Sequence, residues 1–364
     1  MLASLLLGTS SGVYRVGGAN AVALSGQLVT HLACTGGAAA AAVPTPGPVH
    51  AMYQLGELAA PQDSGLHLLR PTTDGYIAKR VWAGDARSCC IWDQPPGGQQ
   101  QRRPTNGDAT EGSGSTNLGL AVGAEPADVF VSLDGGSSWS PGTSSFETAP
   151  SRPSWSFPAP PHQPHVLSLE QTASGQLVAG IEVGGVLVGG GGAGSDSFEE
   201  HNQGLYADVH SCRIDPHNPQ HWLAVTGRGL YASDDAGSTW RAQGSWKGRY
   251  TIGLAFNPLR QGEVLVAAGD RPPAVGVHVY HSADGGESFQ DITDAAFSGD
   301  TTEAKGSRTP VPYFADGQAL LGTATGHLLA SDYAERRTWR AVCRLPPPIL
   351  CMCAPRQSPS SVMH

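Results

Sequence analysis

The chain has 364 residues, with 48 glycines, 28 prolines and only 15% charged residues, a composition that suits one large all-β domain rich in turns. Its formal net charge of −9 is spread over turns, which excludes a nucleic-acid partner bound through a basic face. No apolar run is long enough to cross a membrane.

In chain order, the first strands are expected at Leu5-Leu6-Leu7-Gly8-Thr9 and Gly12-Val13-Tyr14-Arg15, opening a four-stranded unit that lacks its innermost strand. A second unit is expected over about residues 49–82 and a third over 85–139. The fourth starts at His165-Val166-Leu167, the fifth at Asp208-Val209-His210 and the sixth at Tyr250-Thr251-Ile252; the seventh ends at Trp339. The apolar segment Pro348-Ile349-Leu350-Cys351-Met352-Cys353 is expected to pair into the first unit and close a ring, which would remove an exposed edge. The domain is expected to span 1–354, followed by a disordered tail over 355–364. Residues 36–48, rich in Ala and Pro, and 95–116, almost without apolar side chains, read as flexible insertions. The glycine-rich run 184–194 is expected to form a loose hairpin.

A phrase recurs along this chain: Ser-x-Asp-x-Gly-x-x-Trp/Phe. It stands at Ser132 to Trp139, with Asp134 and Gly136; at Ser233 to Trp240, with Asp235 and Gly237; and at Ser282 to Phe289, with Asp284 and Gly286. A worn copy with one extra residue runs from Ser331 to Trp339. The closing aromatics Trp240, Phe289 and Trp339 are 49 and 50 residues apart, and Trp139 precedes Trp240 by 101. A four-stranded β-propeller blade needs about 40–50 residues, so the period is one blade and the gap before Trp240 is two. The missing phrase falls near 189–198, where Phe198 keeps the aromatic. Each phrase follows an alternating strand, such as Val277-His278-Val279-Tyr280-His281. The Asp is expected to accept hydrogen bonds from its own turn and the Gly to supply a positive φ. The fold class expected is all-β: a single seven-bladed β-propeller of four-stranded antiparallel blades, with six blades the alternative because 49–82 is poorly marked.

The seven cysteines, Cys34, Cys89, Cys90, Cys212, Cys343, Cys351 and Cys353, form no disulfide framework and point to a reducing compartment. Met1-Leu2-Ala3-Ser4-Leu5-Leu6-Leu7 lacks a basic start and reads as strand rather than as a leader. A cytoplasmic or other reducing intracellular location is therefore expected, unless the chain continues upstream. No metal or cofactor is expected: Cys351-x-Cys353 has no partner pair, and His162-x-x-His165 is not a zinc spacing to trust on a loop.

In such a ring, the residues entering the innermost strands, with those joining the second and third strands, build one face. Here that face is polar. It is expected to hold His50, Asp85, Arg87, His162, His165, Asp208, His210, Arg249 and Tyr250, with Glu182, Asp270 and Arg271 from the second connections. Two readings stand open. His, Asp, Glu and Arg converge there to bind a ligand or move a proton; or the mouth is simply wet, where polar groups cost nothing.

The repeated phrase resembles the Asp-box, or BNR, repeat of sialidase-like β-propellers. The chain is most similar to the BNR-repeat glycosyl hydrolase-like group, best between Trp155-Ser156-Phe157-Pro158 and Gly180-Ile181-Glu182-Val183-Gly184-Gly185. The superfamily includes sialidases, xyloglucan-cleaving glycosidases, sortilin-type receptors and photosystem II assembly factors. A sialidase carries its first arginine in a Phe/Tyr-Arg-Ile-Pro motif; this chain has Val13-Tyr14-Arg15-Val16-Gly17, without the proline. Sialidase chemistry is thus not expected. The resemblance implies a non-catalytic propeller that binds a protein or carbohydrate ligand through its polar face, and a monomer. The alternative it implies is a glycoside hydrolase-like enzyme drawing paired carboxylates from Asp85, Glu182, Asp208 and Asp270. Against that alternative, Trp155, Trp222 and Trp246 are the only tryptophans left over for a sugar platform.

Overall fold

The computed structural model describes residues 5–9, 11–16, 21–23, 29–34, 49–53, 65–71, 76–93, 118–190, 197–246, 248–332, 338–346 and 348–353. The expected insertions over 36–48 and 95–116, residues 191–194 at the end of the glycine run, most of the worn fourth phrase and the tail over 355–364 lie outside them; the rest of that run is no loose hairpin but a buried, paired strand.

Strands β1 (Leu6–Thr9), β2 (Gly12–Arg15) and β3 (Ala21–Ala23) begin the chain. A second group is β4 (Val29–Cys34), β5 (Val49–Tyr53), β6 (Gly65–Pro71) and β7 (Tyr76–Ala83). The third is β8 (Ala86–Asp93), β9 (Leu118–Ala124), β10 (Val129–Ser132) and β11 (Ser140–Pro141). The fourth is β12 (His165–Gln171), β13 (Leu177–Glu182), β14 (Gly185–Gly189) and β15 (Phe198–Glu200). The fifth is β16 (Val209–Asp215), β17 (Asn218–Thr226), β18 (Gly229–Ser233) and β19 (Arg241–Ala242). The sixth is β20 (Tyr250–Phe256), β21 (Val264–Gly269), β22 (His278–Ser282) and β23 (Gln290–Asp291). The seventh is β24 (Val311–Ala315), β25 (Gln318–Gly322), β26 (His327–Asp332) and β27 (Arg340–Arg344), after which comes β28 (Ile349–Cys353). Each group forms a four-stranded antiparallel meander, and β28 pairs antiparallel with β1 to bring the first group to four.

The second group starts earlier than the sequence reading placed it. Its first strand is β4, and β5 pairs with it from Val49 opposite Cys34. The Ala- and Pro-rich stretch separates those two strands rather than two blades, and it hid the pairing. His50 therefore lies on a second strand, opposite Ala33, and not at the start of an innermost one.

The first strands of consecutive groups lie side by side: β4 against β8, β8 against β12, then β16, β20 and β24 in turn. Strand β24 lies against β28, and β28 against β4. The apolar core is divided between neighbouring sheets. Val129 and Phe146 pack with Val166 and Ile181, Val178 and Val186 with Trp222 and Ala224, Val225 and Leu230 with Val264 and Val266. Leu265 and Val279 pack with Phe314 and Leu321, and Leu320 and Leu328 with Leu5, Leu7 and Met352.

Hydroxyls beside a repeated bulge join sheet to sheet. The pairing of first with second strand shifts register at the same place in five sheets: Val29/His31, Ala86/Ser88, Val166/Ser168, Val209/Ser211 and Thr251/Gly253. Just past the bulge, Ser88 Oγ donates to the Val166 carbonyl at 2.7 Å. Ser168 Oγ accepts the Cys212 N–H at 3.1 Å; in the sixth sheet the hydroxyl stands just before the bulge, where Thr251 Oγ1 donates back to the Thr226 carbonyl at 2.9 Å. Opposite Ser88 and Ser168 stand Gly123 and Gly180. A Cβ on either would lie 2.3 Å from the serine oxygen, so glycine is what allows the next sheet to approach.

The recurring phrase joins the third and fourth strands of its sheet with one hydrogen-bond set. Ser132 Oγ donates to Asp134 Oδ1 (2.8 Å) and accepts the Gly136 N–H (2.8 Å), while the Ser138 N–H and Oγ bind the two carboxylate oxygens (2.8 and 2.6 Å). Ser233, Asp235, Gly237 and Thr239 repeat it, as do Ser282, Asp284, Gly286 and Ser288. The three glycines have φ of 90°, 80° and 97°. The closing indoles are tied too: Trp139 Nε1 donates to the Val81 carbonyl at 2.9 Å and Trp240 Nε1 to that of His201 at 2.8 Å. Phe289 packs edge-on against Trp246 instead.

Two predictions follow from these contacts. Ser168→Ala leaves the Cys212 N–H without its acceptor and should cost about 1–3 kcal/mol; Gly180→Ala should cost a similar 1–3 kcal/mol by overpacking, both read by urea unfolding. Burial works against the Asp284 carboxylate, but its donors, led by the Ser288 hydroxyl, outweigh that and lower its pKa to about 2. A depressed folded pKa gives stability that is present above the unfolded value, about 3.9, and lost as pH falls toward the folded one. Thermal melts should therefore decline between about pH 4 and pH 2, and Asp284→Asn should flatten that decline.

Candidate functional site

The polar residues gather at the end of the sheets where first strands begin and second strands finish. The register sets this up: Ala86 faces Ala124, His165 faces Glu182, Val209 faces Thr226 and Tyr250 faces Gly269. The residue at or just past the end of a second strand is a carboxylate in three sheets: Glu125, Glu182 and Asp270. Two of the bulged positions hold Arg87 and His210. A bulge re-aims the extra side chain, and both turn toward these carboxylates.

A chain of ion pairs crosses the third and fourth sheets. Arg87 Nε lies 3.1 Å from Asp85 Oδ1, and Arg87 also pairs with Glu125. His165 stands between two carboxylates, with Nδ1 3.3 Å from Glu125 Oε2 and Nε2 2.6 Å from Glu182 Oε2. Its ring is buried and meets Phe157 edge-on at 5.0 Å. Arg87, Glu125 and Glu182 are mostly covered, with side chains 20%, 12% and 12% exposed.

Beyond Glu182 lie Asp208 and His210. One ligating atom from each of Glu182, Asp208 and His210 falls within 4.8 Å of the others. His210 Nδ1 is 2.6 Å from the Thr251 carbonyl and Nε2 is 3.5 Å from Asp208 Oδ1. Burial opposes a charged ring there, but Asp208 and the Thr251 carbonyl outweigh it and raise the His210 pKa. The ring rests on Tyr250 at 4.6 Å between centroids. Burial, with Asp208 and Glu182 behind it, raises the Tyr250 phenol far above its ordinary value. Gly227 has no Cβ to meet Asp208, which would lie 2.1 Å from one.

The other expected residues stand apart from this cluster. Arg249 and Asp270 pair at 2.5 Å, and His278 Nε2 lies 2.9 Å from the same Asp270 oxygen. His162 is exposed, its Nδ1 2.9 Å from the Phe157 carbonyl. Arg271 is exposed too, and its carbonyl accepts the Val275 N–H. The sequence reading omitted Glu125, His278 and Thr251. Glu125 was findable, because it occupies in its sheet the place that Glu182 and Asp270 occupy in theirs.

No family model matches the chain, and no curated protein matches it. Solved structures do. The GH74 xyloglucanase from Xanthomonas campestris matches at 14% identity with a TM-score of 0.55, over 87% of this chain and 45% of that one. The WD40 β-propeller domain of Doa1 matches at 13% identity and TM-score 0.52, over 96% and 88%. YCF48 from Cyanidioschyzon merolae matches at 11% and 0.50, over 89% and 87%. The chain has a β-propeller fold. It spans less than half of the xyloglucanase, and at these identities the likeness concerns fold alone. The matched propellers include a xyloglucanase, a WD40 domain and YCF48, so the fold does not choose between activity and binding. No helix among the described residues is long and apolar enough to cross a membrane.

Arg87→Ala should remove the guanidinium from Asp85 and Glu125, leaving Glu125 only its His165 contact among the described residues, and cost about 1.5–3 kcal/mol, as expected for hydrogen bonds to charged groups. Arg271→Ala, at an exposed side chain, should stay within about 0.5 kcal/mol. Urea unfolding of the two variants checks both.

Proposed function

We propose that this chain is a non-catalytic binding propeller whose polar strand-end face receives a protein or carbohydrate ligand. The observation that carries this reading is that the carboxylates there are paired with arginines and histidines: Asp85 and Glu125 with Arg87, Glu182 with His165, Asp208 with His210, Asp270 with Arg249 and His278. A network satisfied in this way is a preorganised polar surface. It is a poor source of the uncommitted acid and base that glycoside hydrolysis requires.

On this reading, the seven four-stranded sheets are the blades of one closed ring within 1–354, and β28 is the strand that closes it. The run of side-by-side first strands returning through β28 to β4 supports this closure. The shared Ser-Asp-Gly hydrogen-bond set supports kinship with Asp-box propellers. A reducing intracellular compartment fits the thiols of Cys89, Cys90, Cys212, Cys343 and Cys351, and the chain is read as a monomer.

A second reading, a glycoside hydrolase, is favoured by one observation: carboxylate oxygens of Glu182 and Asp208 come within 4.8 Å, near the roughly 5–5.5 Å separation of retaining glycosidases. The test is incubation of the purified protein and its Asp208→Ala variant with aryl glycosides and plant and algal polysaccharides. The binding reading expects retention on one ligand, lost in the variant, with no turnover by either protein. Turnover by the wild type alone would replace it with the hydrolase reading.

A further inference from the structure

We infer that Glu182, Asp208 and His210 form a binding site for one divalent transition-metal cation of the Zn²⁺ type. The geometry comes first. Three donor side chains from two sheets each bring a ligating atom within 4.8 Å of the others, and His210 Nε2 to Asp208 Oδ1 is 3.5 Å. That is close to the distance between two ligands of a tetrahedral ion with bonds of about 2.0–2.1 Å.

The histidine supplies an independent observation. Its Nδ1 lies 2.6 Å from the Thr251 carbonyl. A carbonyl only accepts, so Nδ1 carries the hydrogen and the neutral ring turns its lone pair outward on Nε2. Metal-bound histidines are held in this way, with the second nitrogen donating to a carbonyl or carboxylate. Nε2 is buried and has no hydrogen-bond partner, in a residue only 8% exposed. A buried lone pair 3.5 Å from the Asp208 carboxylate, with Glu182 in the same cluster, is costly unless a proton or a cation sits among them. Metal binding displaces the proton.

The surroundings are fixed as a ligand shell requires. Thr251 is fully buried, and its hydroxyl is tied to the Thr226 and Gly229 carbonyls, so the carbonyl that orients His210 does not move. His165 Nε2, 2.6 Å from Glu182 Oε2, orients the second donor. Gly227 leaves the space that Asp208 fills. One imidazole with two carboxylates suits Zn²⁺, Co²⁺ or Mn²⁺, and two carboxylates balance a double charge. Three protein donors leave coordination positions for water or a ligand. Asp208, with its side chain 24% exposed, provides the solvent-facing side. The inference rests on this geometry and does not require the face to bind a protein or a glycan.

The test is titration of metal-stripped protein with Co²⁺, followed by visible absorption, then competition with Zn²⁺. One saturating equivalent is expected, with a d–d band, no sulfur-to-cobalt charge transfer, and displacement by Zn²⁺. His210→Ala and Asp208→Asn should each weaken binding about tenfold or more, and Gly227→Ala should weaken it by pushing Asp208 aside. His162→Ala should leave it unchanged. Thermal melts identify any variant that has lost its fold, and Asp208→Asn, nearly isosteric, serves if His210→Ala is one. The inference is overturned by the absence of a saturable band, by thiolate charge transfer, or by equal affinity in folded His210→Ala or Asp208→Asn protein. Because no glycan or protein ligand is present, this outcome is separate from the fate of the binding reading.

Discussion

The structure depends on how closely one sheet can approach the next at its inner edge. Each first strand must bond to its own second strand and also lie against the first strand of its neighbour. A bulge near the start of the strand and a small hydroxyl residue beside it meet both demands. Ser88, Ser168 and Thr251 reach across to the adjacent sheet, and glycine stands opposite the two serines. The apolar core then lies between neighbouring sheets, as separate clusters rather than one centre.

That same bulge arranges the polar face. The extra residue that accommodates the turn toward the neighbour is also the residue whose side chain is redirected. In the third and fifth sheets it is Arg87 and His210, and both meet carboxylates from the ends of second strands. In the fourth and sixth sheets the corresponding positions are Leu167 and Ile252. The charged cluster is therefore lopsided. It runs from Asp85 to His210 across three sheets, while Arg249, Asp270 and His278 form a separate, more exposed group.

Between the third and fourth strands of the third, fifth and sixth sheets, the Ser-Asp-Gly turns work by local chemistry alone. A serine hydroxyl links a glycine N–H to the carboxylate, and the carboxylate holds the next turn of chain. Nothing distant is needed, so the motif tolerates large differences in the loops around it. Its donors favour the charged carboxylates, and the pKa values of Asp134 and Asp235 are lowered as well.

The all-β class, the repeat length and the recurring turn were legible in the sequence because each arises within a few residues of chain. Asp134, Asp235 and Asp284 bind donors no more than four positions away. Asp85, His165, Glu182, Asp208 and Tyr250 were also legible as the residues of one end, since strand starts and strand ends can be counted along a repeat. The second sheet was misplaced because the Ala- and Pro-rich stretch parted β4 from β5, and no local signal says which strand a distant segment will pair with. Partnerships within the face were invisible for the same reason. Arg87 with Glu125, and His210 with Asp208 and the Thr251 carbonyl, depend on a register shift and on the contact of sheets far apart in the chain. The sequence by itself determined the turns and the period, whose hydrogen bonds are local; only the tertiary structure decided which charges meet, because a bulge and a neighbouring sheet aim them.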